Sequence, residues 1–385
     1  MSKTVYLLGA GVNRGLTTNA KGLKPPLDGD FFQLLAAQGE ALSNETIPQA
    51  DKVPHYKYRP GGDVPPLDQA SESPHIYWVY GFIERFWHRS PKDLAAEPFS
   101  LEEFLTFLQL EREEARKSKD DLKAKDCLFT ELVLEHRLLT YLNAFRDAAK
   151  SNPEMARLGR IIYKDRSTVI TTNYDTFAEV IVGQASDENP KAGGSSVSPW
   201  SAKNSYCVKF SRAGTNKKVF GHIHPLILKL HGSLNWWSLV DFTANRVKPE
   251  KDPLFYYDYH DQQPINYLNL SSLLGVSNIG YVLYKPLVIP MTLHKQAYYK
   301  HPAIKGVWGK AWRELSKCKN LVIIGYSFPT TDFHIKKLFL DSLSGHNLEE
   351  LIIVNPDTCV VQRIKDLTHF QKPVKVCKDI GEFLK

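Results

Sequence analysis

The stretch Thr168-Val169-Ile170-Thr171-Thr172-Asn173-Tyr174-Asp175 constrains this chain more than any other, because a β-branched run breaks off into small polar side chains. Such a run reads as a strand buried on both faces, as in a parallel sheet. Polar groups at its carboxyl end stand where open α/β sheets hold their ligand. Leu228-Lys229-Leu230-His231-Gly232-Ser233 and Leu321-Val322-Ile323-Ile324-Gly325-Tyr326-Ser327 repeat the design. The expectation is one site fed by three strand ends, with Asn173 and Asp175 facing a ligand.

At the amino end, Thr4-Val5-Tyr6-Leu7-Leu8 runs into Gly9-Ala10-Gly11, and a helix opens near Val12. Glycines here would let backbone N–H groups approach a pyrophosphate. The third glycine, Gly15, falls one residue later than G-x-G-x-x-G requires, with Arg14 in its place. Taken alone, the turn suits either a nucleotide phosphate or a tight strand–helix junction. Asp30 is expected to cap a helix from Phe31. Residues 43–74, rich in Pro and Gly, read as a surface excursion. From His75 to Tyr163 the period is helical, with a capping box at Ser100 to Glu103 and a helix begun by Asn152-Pro153. The charge run from Glu111 to Lys125 reads as a solvated helix face or turn.

Beyond Asp175 the pattern predicts a short helix over Phe177 to Ile181. Strand-like pieces follow at 207–210, 218–220, 227–230 and 235–239, then a core strand at Leu287 to Pro290 and a helix over 302–317. Strands at 321–325, 351–354 and 373–376 then alternate with helices at 331–343 and 358–367, before a final helical turn. That alternation specifies an α/β class: a Rossmann-like parallel sheet with helices on both faces, plus an α-helical insertion. Residues 1–40 and 165–385 are read as the sheet domain, and 41–164 as the excursion and insertion.

At 385 residues, 43% hydrophobic and 24% charged, the chain has enough material for a large core. No apolar run approaches the roughly 20 residues of a membrane span, and Met1-Ser2-Lys3-Thr4 leads into a strand, so a cytoplasmic location is expected. The five cysteines (Cys127, Cys207, Cys318, Cys359 and Cys377) are scattered, which supports neither a disulfide framework nor a zinc ribbon. His222 and His224 form an H-x-H pair without a third ligand at metal spacing, and no metal is expected. The net charge of +7 is mild for this length. No nucleic-acid-binding motif accompanies it.

In order along the chain stand Gly9-Ala10-Gly11, Thr172-Asn173-x-Asp175, His231-Gly232-Ser233, Gly325-Tyr326-Ser327-Phe328-Pro329-x-x-Asp332 and Val354-Asn355-Pro356. This series resembles the sirtuin NAD-binding fold. More narrowly, it is similar to the sirtuin-like domains of bacterial anti-phage defence proteins that hydrolyse NAD. The resemblance covers about residues 1–35 and 165–360. It implies Asn173 and His231 as a catalytic pair with Asp175 orienting the site. It also implies Gly9, Ala10 and Gly11 at the pyrophosphate, with Thr172, Gly325, Ser327 and Asn355 completing the cofactor contacts. NAD would be the substrate, and the outcome nicotinamide and ADP-ribose or its cyclic form. Control would fall to homo-oligomerisation or a separate partner such as a HerA-like ATPase or an Argonaute; independently of the resemblance, the insertion is the expected contact surface. Two departures stand out. Only Cys318 lies where deacylases carry a four-cysteine zinc module, and Val12-Asn13 replaces the serine that often follows the first glycines.

Overall fold

The computed structural model describes residues 3–15, 18, 22, 24–35, 74–189, 200–210, 224–241, 255–256, 282–292, 295, 298–329, 331–343 and 348–385. The expected excursion at 43–73, the strand-like piece at 218–220 and His222 lie outside them.

Among the described residues nine strands are formed: β1 (Thr4–Leu8), β2 (Thr168–Thr171), β3 (Leu226–Lys229), β4 (Gly232–Asp241), β5 (Phe255–Tyr256), β6 (Val282–Val288), β7 (Asn320–Ile324), β8 (Glu350–Val354) and β9 (Lys375–Cys377). Six of them make one sheet in the order β3-β2-β1-β7-β8-β9, every pairing parallel. Numbered within the sheet this is 3-2-1-4-5-6, the Rossmann order. The chain winds outward from β1 to one side, then from β7 to the other. The β1/β7 junction is therefore the topological switch point, where a crevice opens at the carboxyl ends. All four residues of β2 and of β3 are buried, which is why these strands read as continuous apolar runs.

The helices that matter are α1 (Gly11–Arg14), α2 (Phe31–Leu35), α3 (Pro74–Trp87), α4 (Leu101–Lys117), α5 (Asp121–Ala144), α6 (Pro153–Lys164), α7 (Phe177–Glu188), α8 (Pro302–Leu315), α9 (Phe333–Leu343), α10 (Cys359–Thr368) and α11 (Ile380–Phe383). Helices cover both faces of the sheet. Met155, Leu158 and Ile162 of α6 and Val180 and Ile181 of α7 share one core with the strands. Asn152 caps α6 by accepting from the N–H groups of Glu154 (3.0 Å) and Met155 (3.1 Å). A second core joins Phe31, Phe32 and Leu35 of α2 to Val79 and Ile83 of α3, Phe104 and Leu108 of α4, and Leu134 and Leu138 of α5. Tyr174, Leu234 and Val288 enter it from the sheet side, so the insertion helices sit over the carboxyl ends of β2 and β3. No helix among the described residues is long and apolar enough to cross a membrane.

Several local expectations are corrected. The core strand expected at Leu287 to Pro290 is buried as expected but ends at Val288, and as part of β6 it pairs antiparallel with β4, which also pairs with β5, in a separate three-stranded sheet. Residues 207–210 form no strand, since Cys207 takes a positive φ of 59° that interrupts extended backbone. Asp30 does not cap α2. It ends a 3-10 turn, where its carboxylate accepts from the Leu27 N–H (2.6 Å) and pairs with Arg14 (2.5 Å). The charge run is helical on both sides of a turn at 118–120, and α5 starts as early as Asp121.

Candidate active site

The carboxyl ends of all six sheet strands line a single cavity of about 860 Å³. Its wall carries Ala10 and Gly11 after β1, Thr172 to Asp175 after β2, His231 after β3 and Gly325 to Ser327 after β7. Val354 to Pro356 follow β8, and Lys378 to Ile380 follow β9. From β3 to β9 there are five strand spacings, or about 24 Å at roughly 4.8 Å each. Leu101, Glu102, Leu138 and Leu142 of the insertion close the cavity from above, with Met291 and Lys295 from the segment after β6.

Every sequence-derived site residue except Gly9 lines this cavity. Gly9 lies behind the wall, and the structure explains its identity by packing. The Gly9 N–H donates to Ile324 O (3.0 Å) and the Gly11 N–H to Gly325 O (2.9 Å), drawing the two strand ends together. A Cβ on Gly9 would stand 2.5 Å from Gly325 O. Gly325, at φ +63°, would put one 2.2 Å from Val12 N. Glycine at 9 and 325 is thus demanded by close backbone approach at the switch point. Gly232 has a similar origin, because at φ +82° its Cβ would lie 1.9 Å from Leu287 O of β6.

Asn173 donates from Nδ2 to the Gly9 carbonyl (3.1 Å), and its own N–H donates to Thr171 Oγ1 (3.0 Å). This anchors the amide and leaves Oδ1 as an acceptor. Tyr174 points the other way, into the insertion core, where its hydroxyl donates to Ile289 O (2.6 Å). Asp175 accepts from Asn13 Nδ2 (2.6 Å) through one oxygen and from the Phe177 N–H (3.1 Å) through the other. Asn13 thus holds the Asp175 carboxylate. Burial raises the Asp175 pKa to about 6 despite the opposing pull of Lys229.

His231 is 7% exposed and lines the cavity. Its Nε2 is buried with no hydrogen-bond partner among the described residues. That leaves Nε2 free to meet a group bound in the cavity. Burial lowers the pKa to about 4. Asp332 acts to raise it, whereas Lys295 and His334 lower it further. The imidazole is therefore neutral throughout the physiological range, a weaker base than an unperturbed histidine.

A cluster that sequence spacing does not assemble adjoins His231. Asp332 accepts from Lys295 Nζ (2.9 Å) and from the Tyr326 hydroxyl (2.7 Å). Lys295 also pairs with Glu102 of α4 (3.5 Å), and Glu102 accepts from Thr331 Oγ1 (3.0 Å). The insertion is thereby tied by charge to the cavity wall. Burial raises the Asp332 pKa, but His231, Lys295 and the Tyr326 hydroxyl outweigh it, so the net direction is down. Asp332 belongs to the Gly-Tyr-Ser-Phe stretch and was visible there. Lys295 and Glu102 carried no signal.

At the far end, Asn355 Oδ1 accepts from the Asp357 N–H (2.9 Å), and Ser327 is exposed at the rim.

No protein-family model and no curated protein matches the chain. Among solved structures, the likeness is to Sir2 homologues. A point mutant of a Sir2 homologue in complex with ADP ribose is 13% identical, with 100% of this chain and 89% of that chain covered and a TM-score of 0.38. A Sir2 homologue in complex with NAD is also 13% identical, covering 100% and 87%, with a TM-score of 0.37. A further Sir2 enzyme structure is 16% identical, covering 63% and 74%, at 0.28. Values this low carry no functional weight.

Proposed function

We propose that this chain binds NAD across the carboxyl ends of its sheet and hydrolyses it to nicotinamide and ADP-ribose or its cyclic form. The observation that carries this reading is the placement of a buried, partnerless His231 Nε2 and the anchored Asn173 at one end of a cavity that crosses all six strand ends. Its span of about 24 Å suits an extended dinucleotide, and its volume of about 860 Å³ lies at the large end of small-molecule sites.

The protonation states suit this bond. When the C1′–N bond of the nicotinamide riboside breaks, its electron pair goes to the pyridinium nitrogen, so nicotinamide leaves neutral and needs no general acid. What remains is oxocarbenium character on the ribose, which water attacks while losing a proton. Neutral His231 accepts that proton at Nε2, and Asn173 Oδ1 holds the water or a ribose hydroxyl. The Asp175 carboxylate, ionised above about pH 6, fixes the turn and adds negative charge near the cation. The glycine-lined junction of β1 and β7 receives the pyrophosphate on the Gly11 and Val12 side, and Ser327 and Asn355 face the adenosine.

In the cell, this activity would serve anti-phage defence by depleting NAD. It would be held in check by self-assembly or by a separate sensor such as a HerA-like ATPase; the motif series supports this role. The direct test is nicotinamide release from NAD by the purified chain with no peptide present. Release without an acceptor supports hydrolysis or cyclisation. Release only with an acyl-lysine peptide or a protein acceptor identifies a deacylase or ADP-ribosyltransferase instead. Binding of NAD with no turnover, alone or with partner, identifies a signalling module.

A further inference from the structure

Behind the cavity lies a polar network that the reaction itself does not use. Lys229 ends β3 and is fully buried, as is Glu179 of α7. The three ammonium protons of Lys229 meet three acceptors: the backbone carbonyls of Asp175 and Tyr174, the latter at 3.4 Å, and Glu179 Oε1 at 3.2 Å. Glu179 Oε1 also accepts from the Tyr206 hydroxyl (2.7 Å). That hydroxyl accepts from Asn235 Nδ2 (2.9 Å), and Asn235 Oδ1 accepts from Ser233 Oγ (2.7 Å). None of these five residues lines the cavity.

A fully buried Lys–Glu pair adds little to stability, because desolvating two charges offsets their attraction; apolar residues of similar size generally do as well or better. This pair grips the two carbonyls that immediately follow Asn173. It is also anchored on the strand that delivers His231 two residues later. One rigid network thus ties the turn bearing Asn173 to the strand end bearing His231.

We propose that Lys229 is a positioning residue: through the Tyr174 and Asp175 carbonyls it sets the location of Asn173 relative to His231 in the reacting complex. The inference rests on the hydrolase reading for its kinetic consequence and on the geometry alone for its structural one. Displacement of a positioned group by about 1 Å typically lowers turnover about 100-fold.

The test compares wild type, K229M, K229R and Y206F as full-length chains, in nicotinamide release from NAD and in binding of ADP-ribose. K229M is expected to lower kcat about 100-fold while KM and ADP-ribose affinity stay within about threefold; K229R recovers part of kcat, and Y206F gives a smaller loss of the same kind. A kcat for K229M within threefold of wild type overturns the proposal. So does a parallel loss of kcat, ADP-ribose affinity and thermal stability, which marks a purely structural role. If K229M does not fold, Y206F carries the test by the same split of kcat from KM. Should wild type bind ADP-ribose but release no nicotinamide, the hydrolase reading has failed. Positioning is then read from amide exchange over residues 172–177 in the ADP-ribose complex. Protection lost there in K229M or Y206F and kept in K229R supports it, and unchanged protection overturns it.

Discussion

Substituting Gly325 by alanine tests whether the β1/β7 junction is built on backbone contact. At φ +63° an alanine carries a left-handed penalty of about 1–2 kcal/mol. Its Cβ would also lie 2.2 Å from Val12 N and 2.4 Å from Gly11 C, both backbone atoms that cannot rotate away. Separating the strand ends enough to relieve this contact breaks the hydrogen bonds from Gly9 N–H to Ile324 O and from Gly11 N–H to Gly325 O, about 1 kcal/mol each. The sum is about 3–4 kcal/mol, a large fraction of the stability of an ordinary domain. The control is G306A in α8, where an added Cβ meets nothing within 4 Å and helix propensity favours alanine by about 0.8–1 kcal/mol. Thermal unfolding followed by circular dichroism should show G325A melting about 4–5 °C below wild type, with G306A at or above it. A G325A melting point within 1 °C of wild type would refute the packing explanation for these glycines.

Three further outcomes follow from the charges. An NMR titration of His231 should give a pKa near 4, and kcat/KM for NAD should be level above about pH 7 and fall to half near pH 6 as Asp175 protonates; a His231 midpoint near 6.5 would contradict its burial. Because Asp332 acts to raise the His231 pKa, D332N should move that midpoint still lower; an upward move would show that the two groups do not interact as described. Glu314 is held by Lys3 (2.6 Å), Lys310 (2.9 Å) and the Thr168 hydroxyl (3.1 Å). Although burial opposes it, these partners bring the pKa from the usual 4.5 down to about 2. A depressed carboxyl contributes stability that is fully present above pH 4.5 and disappears as pH falls towards 2. E314Q should therefore cost roughly 2 kcal/mol at pH 7 and flatten the loss of stability between pH 4.5 and 2, and equal acid sensitivity in both proteins would remove Glu314 as its source.

Much of the sheet was legible because parallel strands buried on both faces leave uninterrupted apolar runs, as at Leu321 to Ile324 and Leu351 to Val354. The residues that close those runs then mark the ligand edge. Thr172 to Asp175, His231 and Gly325 to Ser327 were readable for that reason, and all of them line the cavity. Periodicity does not report pairing partners, so Leu287 to Pro290 read as a core strand with no sign that β6 pairs with β4 in a second sheet. Nor does it report positive φ, which removed the expected strand at Cys207. Lys229 lies inside an apolar strand and Glu179 inside an apolar helix. Their pairing across 50 positions depends on the packing of α7 against β3, which no local spacing encodes. The same holds for Glu102, Lys295 and Asp332, brought together only when the insertion closes over the sheet.

That closure bears on the insertion as a partner surface. Tyr174, Leu234 and Val288 pack into the insertion core, so deleting the insertion helices would uncover the sheet as well as remove the proposed docking face. Exposed substitutions on α4, such as Leu110→Glu, separate the two effects, since Leu110 is 46% exposed.

The most direct measurement of the central claim is single-turnover nicotinamide release from NAD by wild type, N173A and H231A, with ADP-ribose binding measured on the same samples. A dinucleotide site with Asn173 and His231 at its reacting end predicts release by wild type, loss of at least about 100-fold in each variant, and ADP-ribose affinity retained in both. Equal release by all three proteins, or loss of ADP-ribose binding together with release, would contradict it.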